Sequence, residues 1–594
     1  MLTARTIDAP RRRGQPSPPR TATPRQRPVT EPRDPNGVYP ATRPEIMPIA
    51  LAAVILAFLA LLVCASRGWL LLYGDAVAHL GIARRILDSR YPGLAQLGGV
   101  WLPLPHLLML PFVQRLDWWQ NGIAGAWPSL AAYVFGVTGC YALCRKLVPA
   151  AWAFAGTAFF ALNPNLLYLS TTAMTEPLFL ALLLWSTVVA WEAADALQAG
   201  KAATARPRMI VSGLLTVAMV FTRYDGWIVG AAVWLLLALA WWRAAETTKR
   251  ETRNAFLTMT LLAIAGPLLW FLYNAKYQGD WLDFMRGPYS AKAIEQKTTP
   301  PGSLPRRGMY NPGWALVYFT RAAQVDAVAY ELGFAVLFTS VAGAWLMFKT
   351  RLPRLVSVLL WLPLPFYVYS VAWGHIPIFV PQLYPGSYYN ARYGTELLPA
   401  FAVCTAVALA AAEKRLRARK PKLADAFFFV TLVCIILNVF AMMGTFGTLL
   451  SKLRGEENAL TSRVPKWLSA PPLVFDEAVN NSRTRIPFEL ALSKEMLRLY
   501  GGGPIMFDTN DHIGAVQDAG LALRTLISPL DSQSFDLARQ QPAKYARLVV
   551  ALDGDPVAKA VAAHPEGLTE IEVLCNTGQP CARFYSSSMF GGQL

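Results

Sequence analysis

The chain is 594 residues long, 54% apolar and only 15% charged, with a formal net charge of +18. Its length would suit several soluble domains, but long uncharged runs recur over the first three quarters, and about twenty apolar residues are what a bilayer-crossing helix needs. Nor does the charge indicate a nucleic-acid binder, because Lys and Arg concentrate in an N-terminal tail and in short loops between apolar runs, the bias of cytoplasmic loops.

Residues 1–44 are rich in Arg, Pro and Thr and read as a disordered basic cytoplasmic tail. The run that follows, "IMPIALAAVILAFLALLVCAS", is too long for a secretory signal and is followed by Arg67 instead of a small-residue cleavage site. An uncleaved first span is expected. Next comes "YGDAVAHLGIARRILDS" (73–89), where Val77, Leu80, Ala83 and Leu87 recur at helical spacing. This predicts a helix lying on the membrane surface, apolar face down.

The run at 101–116 is short and carries three prolines and His106. Further apolar runs lie near 123–143, 150–169, 177–194, 209–222, 226–242, 255–273, 329–348, 355–373, 394–412 and 425–450. Counting 101–116 as a span would place Arg145 and Lys146 outside and invert every later basic loop. Leaving it out puts Arg145/Lys146, Lys201/Arg206/Arg208, Lys249/Arg250/Arg253, Lys349/Arg351/Arg354 and 413–422 on the side of the tail. About eleven spans are therefore predicted, with 101–116 re-entrant or at the interface, where irregular backbone must rest on protein or a water-filled cavity. The outer face then receives 67–122, 170–176, 223–225, 274–328, 374–393 and everything after about residue 452.

From about 455 to 594 the chain changes character. "PIMFDT" and "YARLVVALDGD" read as short buried strands, interleaved with helical "PFELALSKEMLRLYGG" and "DPVAKAVAAH", which predicts a small α/β domain outside the membrane. "DGD" (553–555) has the form of a metal-binding DxD, but it follows a strand and precedes a proline, which favours a turn; "DTNDH" (508–512) reads the same way. Five of the seven cysteines (Cys64, Cys140, Cys144, Cys404, Cys434) fall in or beside spans as small packing residues. Cys575 and Cys581 lie together in the C-terminal part, where a disulfide and two free thiols are both open.

Candidate chemistry gathers on the predicted outer face. Asp75 follows Gly74 at the start of the surface helix; it reads either as the cap of that helix or as a general base held there. Glu176 opens a span before Pro177, placed either by the helix dipole or for function. Arg223 and Asp225 sit between two spans, as a local ion pair or as ligand-binding residues. Arg392 and Tyr393 stand at the outer end of a late span, with Glu396 one turn deeper. The loop 274–328 carries Lys276, Arg286, Lys292, Lys297, Arg306 and Arg307 among Tyr, Trp and Pro. That composition suits solvation, and equally an anionic lipid headgroup.

An acidic residue in the first outer loop, a surface helix after it, a later "TEPLF", an Arg-Tyr near a late outer span start and a C-terminal domain together resemble the GT-C superfamily of membrane glycosyltransferases. The branch most similar is that of the bacterial lipid-linked-sugar transferases related to protein O-mannosyltransferases and to the aminoarabinose transferase of lipid A. The resemblance spans roughly 45–450. It implies a GT-C-like bundle over 45–454 in the cytoplasmic membrane of a bacterium, with the site and the 455–594 domain extracytoplasmic. It further implies a polyprenyl-phosphate sugar donor and a hydroxyl acceptor on protein, lipid or polysaccharide. Asp75 matches the catalytic carboxylate of the family's first loop, Glu176 the acidic residue of its second outer loop, and Arg392 a donor-phosphate contact; Arg223, Tyr393, Lys292 and His79 join as donor or substrate contacts. Many relatives have a paired Asp-Glu in the first loop, whereas here Ala76 follows Asp75. A divalent cation shared by Asp75 and Glu176 stays open, with no ligand spacing that demands it.

The expected reaction is a one-step inverting displacement in which Asp75 removes the acceptor proton and arginines hold the leaving phosphate. Two rivals belong to other classes. A secondary transporter would carry ionisable residues near the bilayer midplane, often in repeated halves, and no repeat is visible here. A non-catalytic glycan-binding scaffold is the other.

Overall fold

A computed structural model of the chain describes residues 38–299, 302–303, 305–329, 331–453 and 471–591. Most of the basic tail expected over 1–44 lies outside the described residues, as do 454–470, where the membrane part was expected to give way to the C-terminal domain. Among the described residues, eight helices are long and apolar enough to cross a membrane: Arg43–Ser66, Ile123–Arg145, Glu176–Gln198, Asp225–Trp242, Glu246–Tyr277, Arg351–Ala372, Ala391–Arg417 and Pro421–Met442. A ninth arises if Pro312–Ala327 and Leu332–Met347, bent by 102°, form one span. The chain is an integral membrane protein.

The difference from the eleven expected spans has local causes. The run at 150–169 divides into Ala150–Ala161 and Pro164–Leu169. Asn163 ends the first piece and caps the second, its side chain accepting from the backbone N–H of Asn165 and Leu166, while Pro164 takes the first helical position. The run at 209–222 is the latter part of Ala202–Val220, whose first turns carry Arg206, Pro207 and Arg208. The 101–116 segment forms only the ten-residue helix Leu104–Val113; at ~1.5 Å per residue this covers about half a bilayer.

Burial separates core from periphery. Glu176–Gln198 is 78% and Ala391–Arg417 67% buried over their most apolar windows, against 17% for Arg43–Ser66 and 6% for Pro421–Met442, which form the rim. Small residues let the central helices close up. A Cβ built on Gly343 would lie 1.8 Å from the backbone oxygen of Cys404 on the neighbouring helix. Gly343→Val is therefore expected to destabilise the protein by about 1–3 kcal/mol through overpacking; an unchanged thermal midpoint in detergent would contradict so close a helix approach.

The predicted two-faced partition reappears as two polar clusters. Residues from the tail-side loops meet one another: Glu45 pairs with Arg145 (3.2 Å), and Glu192 with Lys146 (3.0 Å) and Arg208 (3.2 Å). Residues from the other set of loops meet at the opposite ends of the spans, described below.

The predicted surface helix forms as Gly74–Leu87. Val77, Leu80 and Ala83 are buried, but against protein and not on the membrane surface as expected; Leu87 is exposed and Ile86 takes its place because the helix ends there, at Asp88. It packs on Leu104–Val113 on one side. On the other it meets the C-terminal part, where a Cβ on Gly81 would lie 3.0 Å from Ile513.

The C-terminal part holds one five-stranded sheet of order β2-β1-β3-β5-β4, with β1 Ile505–Phe507, β2 Leu526–Ile527, β3 Leu548–Leu552, β4 Leu568–Leu574 and β5 Ala582–Ser587. β1 pairs in parallel with β2 and β3, and β5 runs antiparallel to β3 and β4. Both predicted strands and both predicted helices are present. Cys575 and Cys581 form a disulfide between β4 and β5. "DGD" is a turn: Asp555 caps Pro556–Ala563, accepting from the N–H of Ala558, and Gly554 supplies a positive φ of 85°. In "DTNDH" the Asp508 carboxylate likewise accepts from the N–H of Asn510 two residues on (3.0 Å).

Candidate active site

Four helix starts converge at one end of the bundle. Asp75, Glu176 and Asp225 each lie in the first turn of their helices, and Arg392 opens Ala391–Arg417. Carboxylates are favoured there because the N-terminal ends of helices carry unpaired N–H groups and partial positive charge.

Asp75 does not cap its own helix; the cap position is Tyr73, and the Asp75 carboxylate turns to Arg392. The two residues are 317 positions apart in sequence. From the same guanidinium, Nε donates to Glu176 Oε1 at 3.1 Å. Arg223 Nη1 donates to that same oxygen at 3.1 Å and to Thr175 Oγ1 at 2.7 Å. Arg223 Nε lies 3.2 Å from Asp225 Oδ2 and 3.3 Å from Glu396 Oε1. Its Nη2 donates to the Tyr367 hydroxyl (2.6 Å), which donates to Asp225 (2.9 Å). Two guanidiniums thus serve four carboxylates, and Tyr393 lies against both, 4.9 Å from Arg392 and 5.0 Å from Arg223.

Exposure differentiates the carboxylates. The side chains of Glu176, Asp225 and Glu396 are at most 1% exposed, whereas Asp75 is 41% exposed. Among the described residues Asp75 engages through Oδ2, and its Oδ1 accepts no hydrogen bond. The hydrogen bonds of Arg392 leave from Nε and Nη2, and Nη1 makes none to a described residue. Arg223, by contrast, has all three nitrogens occupied.

The floor of the site comes from the C-terminal part. Glu477, on helix Leu473–Ser482, accepts from the backbone N–H of Ala391 and Arg392, both at 3.3 Å. The Tyr73 hydroxyl shares its proton between Glu477 (2.8 Å) and the Val474 carbonyl (2.9 Å). Burial raises the Glu477 carboxyl above its ordinary range, opposed by Arg392 and these donors. Asp476 accepts from the Tyr388 hydroxyl.

Of the residues singled out in the sequence, Asp75, Glu176, Arg223, Asp225, Arg392, Tyr393 and Glu396 share this cluster. His79 does not contact it directly. It is buried, 2.8 Å from His106 and packed on Trp101, and burial with Arg392 and Arg223 nearby pushes its imidazole down to about 3, so it is neutral at pH 7. Lys292 is exposed on helix Ala291–Thr298 and makes no contact with the cluster among the described residues. In that same helix, Glu295 bridges Arg306 (2.7 Å) and His375 (2.6 Å). Sequence reading missed Glu477, Tyr367, Thr175 and Tyr73. Tyr73 and Thr175 open the quoted stretches "YGDAVAHLGIARRILDS" and "TEPLF", and the Tyr367 hydroxyl stands in an apolar run; "LVFDEAVNNS" carries no signal for Glu477.

A shared divalent cation does not fit. The Arg392 guanidinium stands between Asp75 and Glu176, and no group of three or more His, Cys, Asp or Glu among the described residues is placed to hold a metal.

No family model and no curated relative matches the sequence. Among solved structures the chain is similar to ArnT from Cupriavidus metallidurans bound to undecaprenyl phosphate, with a TM-score of 0.51 at 11% identity, covering 93% of this chain and 100% of that one. The apo state of the same protein gives 0.48 at 12% identity, over 90% and 99%. The oligosaccharyltransferase of Archaeoglobus fulgidus in its apo form gives 0.43 at 11%, over 91% and 74%. The likeness to the first of these shows that the two chains share a fold.

Proposed function

We propose that the chain is a membrane glycosyltransferase that moves a sugar from a polyprenyl-phosphate donor to a hydroxyl acceptor at the outer face of the cytoplasmic membrane. The observation that carries this reading is the meeting of Asp75, Arg392 and Glu176 at one converged set of helix starts. The shared fold supports it, since the ArnT structure of that fold holds undecaprenyl phosphate.

Asp75 Oδ1 takes the proton of the acceptor hydroxyl as its oxygen attacks the anomeric carbon. The bond from that carbon to the phosphate oxygen breaks, and its electron pair leaves with polyprenyl phosphate. The leaving group is a stable anion, so no general acid is needed once its charge is held. Arg392 Nη1 holds it, aided by the helix N-termini around it. Glu176 fixes Arg392 and Arg223 in place by accepting from both. Attack opposite the leaving group inverts the anomeric carbon.

The test incubates purified protein in detergent with a panel of polyprenyl-phosphate sugars and acceptors and measures release of polyprenyl phosphate. Release dependent on Asp75 is expected. A folded protein that releases none across the panel removes the transferase reading.

A further inference from the structure

Glu477 is fully buried and touches both halves of the candidate site. On one side it accepts from Tyr73, two residues before Asp75. On the other it accepts from the N–H groups of Ala391 and Arg392, which open the helix bearing the guanidinium. Those N–H groups have no carbonyl within their own helix to bond, so a carboxylate from a distant segment completes the turn and favours its N-terminal charge.

The C-terminal part holds the approach to Asp75 at further points. Arg485 Nη2 donates to the carbonyls of Leu71 (2.8 Å) and Leu72 (3.0 Å), and Arg485 Nη1 is fixed by Glu489 (2.5 Å). Val474 N–H donates to Asn165 Oδ1 (3.0 Å), and Phe475 packs edge-on against Trp69 and Tyr168. The backbone at 71–72, the Tyr73 hydroxyl and the turn at 391–392 are therefore gripped by one helix pair, Leu473–Ser482 and Arg485–Leu499.

We infer that Glu477 is a positioning residue that sets Asp75 against Arg392, so that the C-terminal part completes the reacting site. The inference rests on the transferase reading for its kinetic consequence, but not for its structural one. A misplacement of about 1 Å between reacting groups costs on the order of 10²-fold in rate. Glutamine at 477 keeps the size of the side chain but turns an N–H₂ toward one of the three donors.

Two measurements on the full-length protein test this. In the polyprenyl-phosphate release assay, Glu477→Gln is expected to lower kcat by roughly 10- to 100-fold with the donor KM little changed, and Tyr73→Phe to lower it in the same sense. With Asp75→Asn already present, Glu477→Gln is expected to add a much smaller loss than it causes alone, because there is no base left to place. Losses that multiply, or wild-type turnover in Glu477→Gln, overturn the inference. The second measurement is amide hydrogen exchange of wild type and Glu477→Gln. Faster exchange is expected at 73–80 and at 391–396 together, and protection unchanged in either segment overturns the inference. If the wild-type protein releases no polyprenyl phosphate, the transferase reading falls, while the exchange experiment still decides the role of Glu477.

Discussion

Asp75→Asn is expected to reduce turnover about 10²- to 10⁴-fold, the usual range for losing a general base, while the protein still inserts, folds and binds donor. That corresponds to about 3–5 kcal/mol of lost transition-state stabilisation. Asparagine has the shape of aspartate, and its carbonyl oxygen can still accept from Arg392, so the bond that joins the two segments survives. Asp75 is also the one carboxylate of the cluster open to solvent, and exposed groups contribute little to stability. Loss of rate without loss of structure is thus the signature of a base. Single-turnover release of polyprenyl phosphate, beside thermal unfolding and donor binding, separates the two. Turnover close to that of the wild type would remove Asp75 from the chemistry, and a variant that no longer folds would make its role structural.

Arg392→Met is expected to act on structure first. Its guanidinium is buried with Glu176, and removing one partner of such a pair typically costs about 3–5 kcal/mol, since the other charge stays behind uncompensated. Here Arg223 still contacts Glu176 Oε1, which places the expected loss at the lower end of that range. Arg392→Lys isolates the second role. Lysine keeps the charge but has no planar fork, and one ammonium cannot reproduce the paired donation to Asp75 and Glu176 with a third nitrogen left over. If Nη1 holds the leaving phosphate, polyprenyl phosphate should raise the thermal midpoint of wild type and do so distinctly less for Arg392→Lys. Equal ligand-induced shifts in the two proteins would take Arg392 out of phosphate binding.

The membrane class, the positions of most spans and the grouping of polar residues into two sets were legible in the chain, because each depends on local physics. A run of apolar residues reports the solvent that surrounds it, and basic loops report the side on which they stay. The strands and helices of the C-terminal part were readable for the same reason: periodicity is local. Local readings failed in two ways, through a cap overlooked inside a run and through a partner distant in the chain. Asn163 and Pro164 broke one apolar run, and Asp75, which reads as a cap in its own sequence, found a stronger partner in an arginine 317 residues away.

The sequence by itself determined which residues were chemically exceptional: Asp75, Glu176, Arg223 and Arg392 stand out because ionisable groups beside apolar spans are costly to keep. Only the tertiary structure decided that they meet, that Glu176 joins the two arginines through one oxygen, and that His79 turns away to His106. It alone brought in Glu477, whose surroundings in the chain are those of an ordinary soluble helix. The physical reason is that hydrogen bonds and ion pairs act over a few ångströms of space without regard to distance along the chain. A carboxylate acquires its role from whatever the fold places beside it.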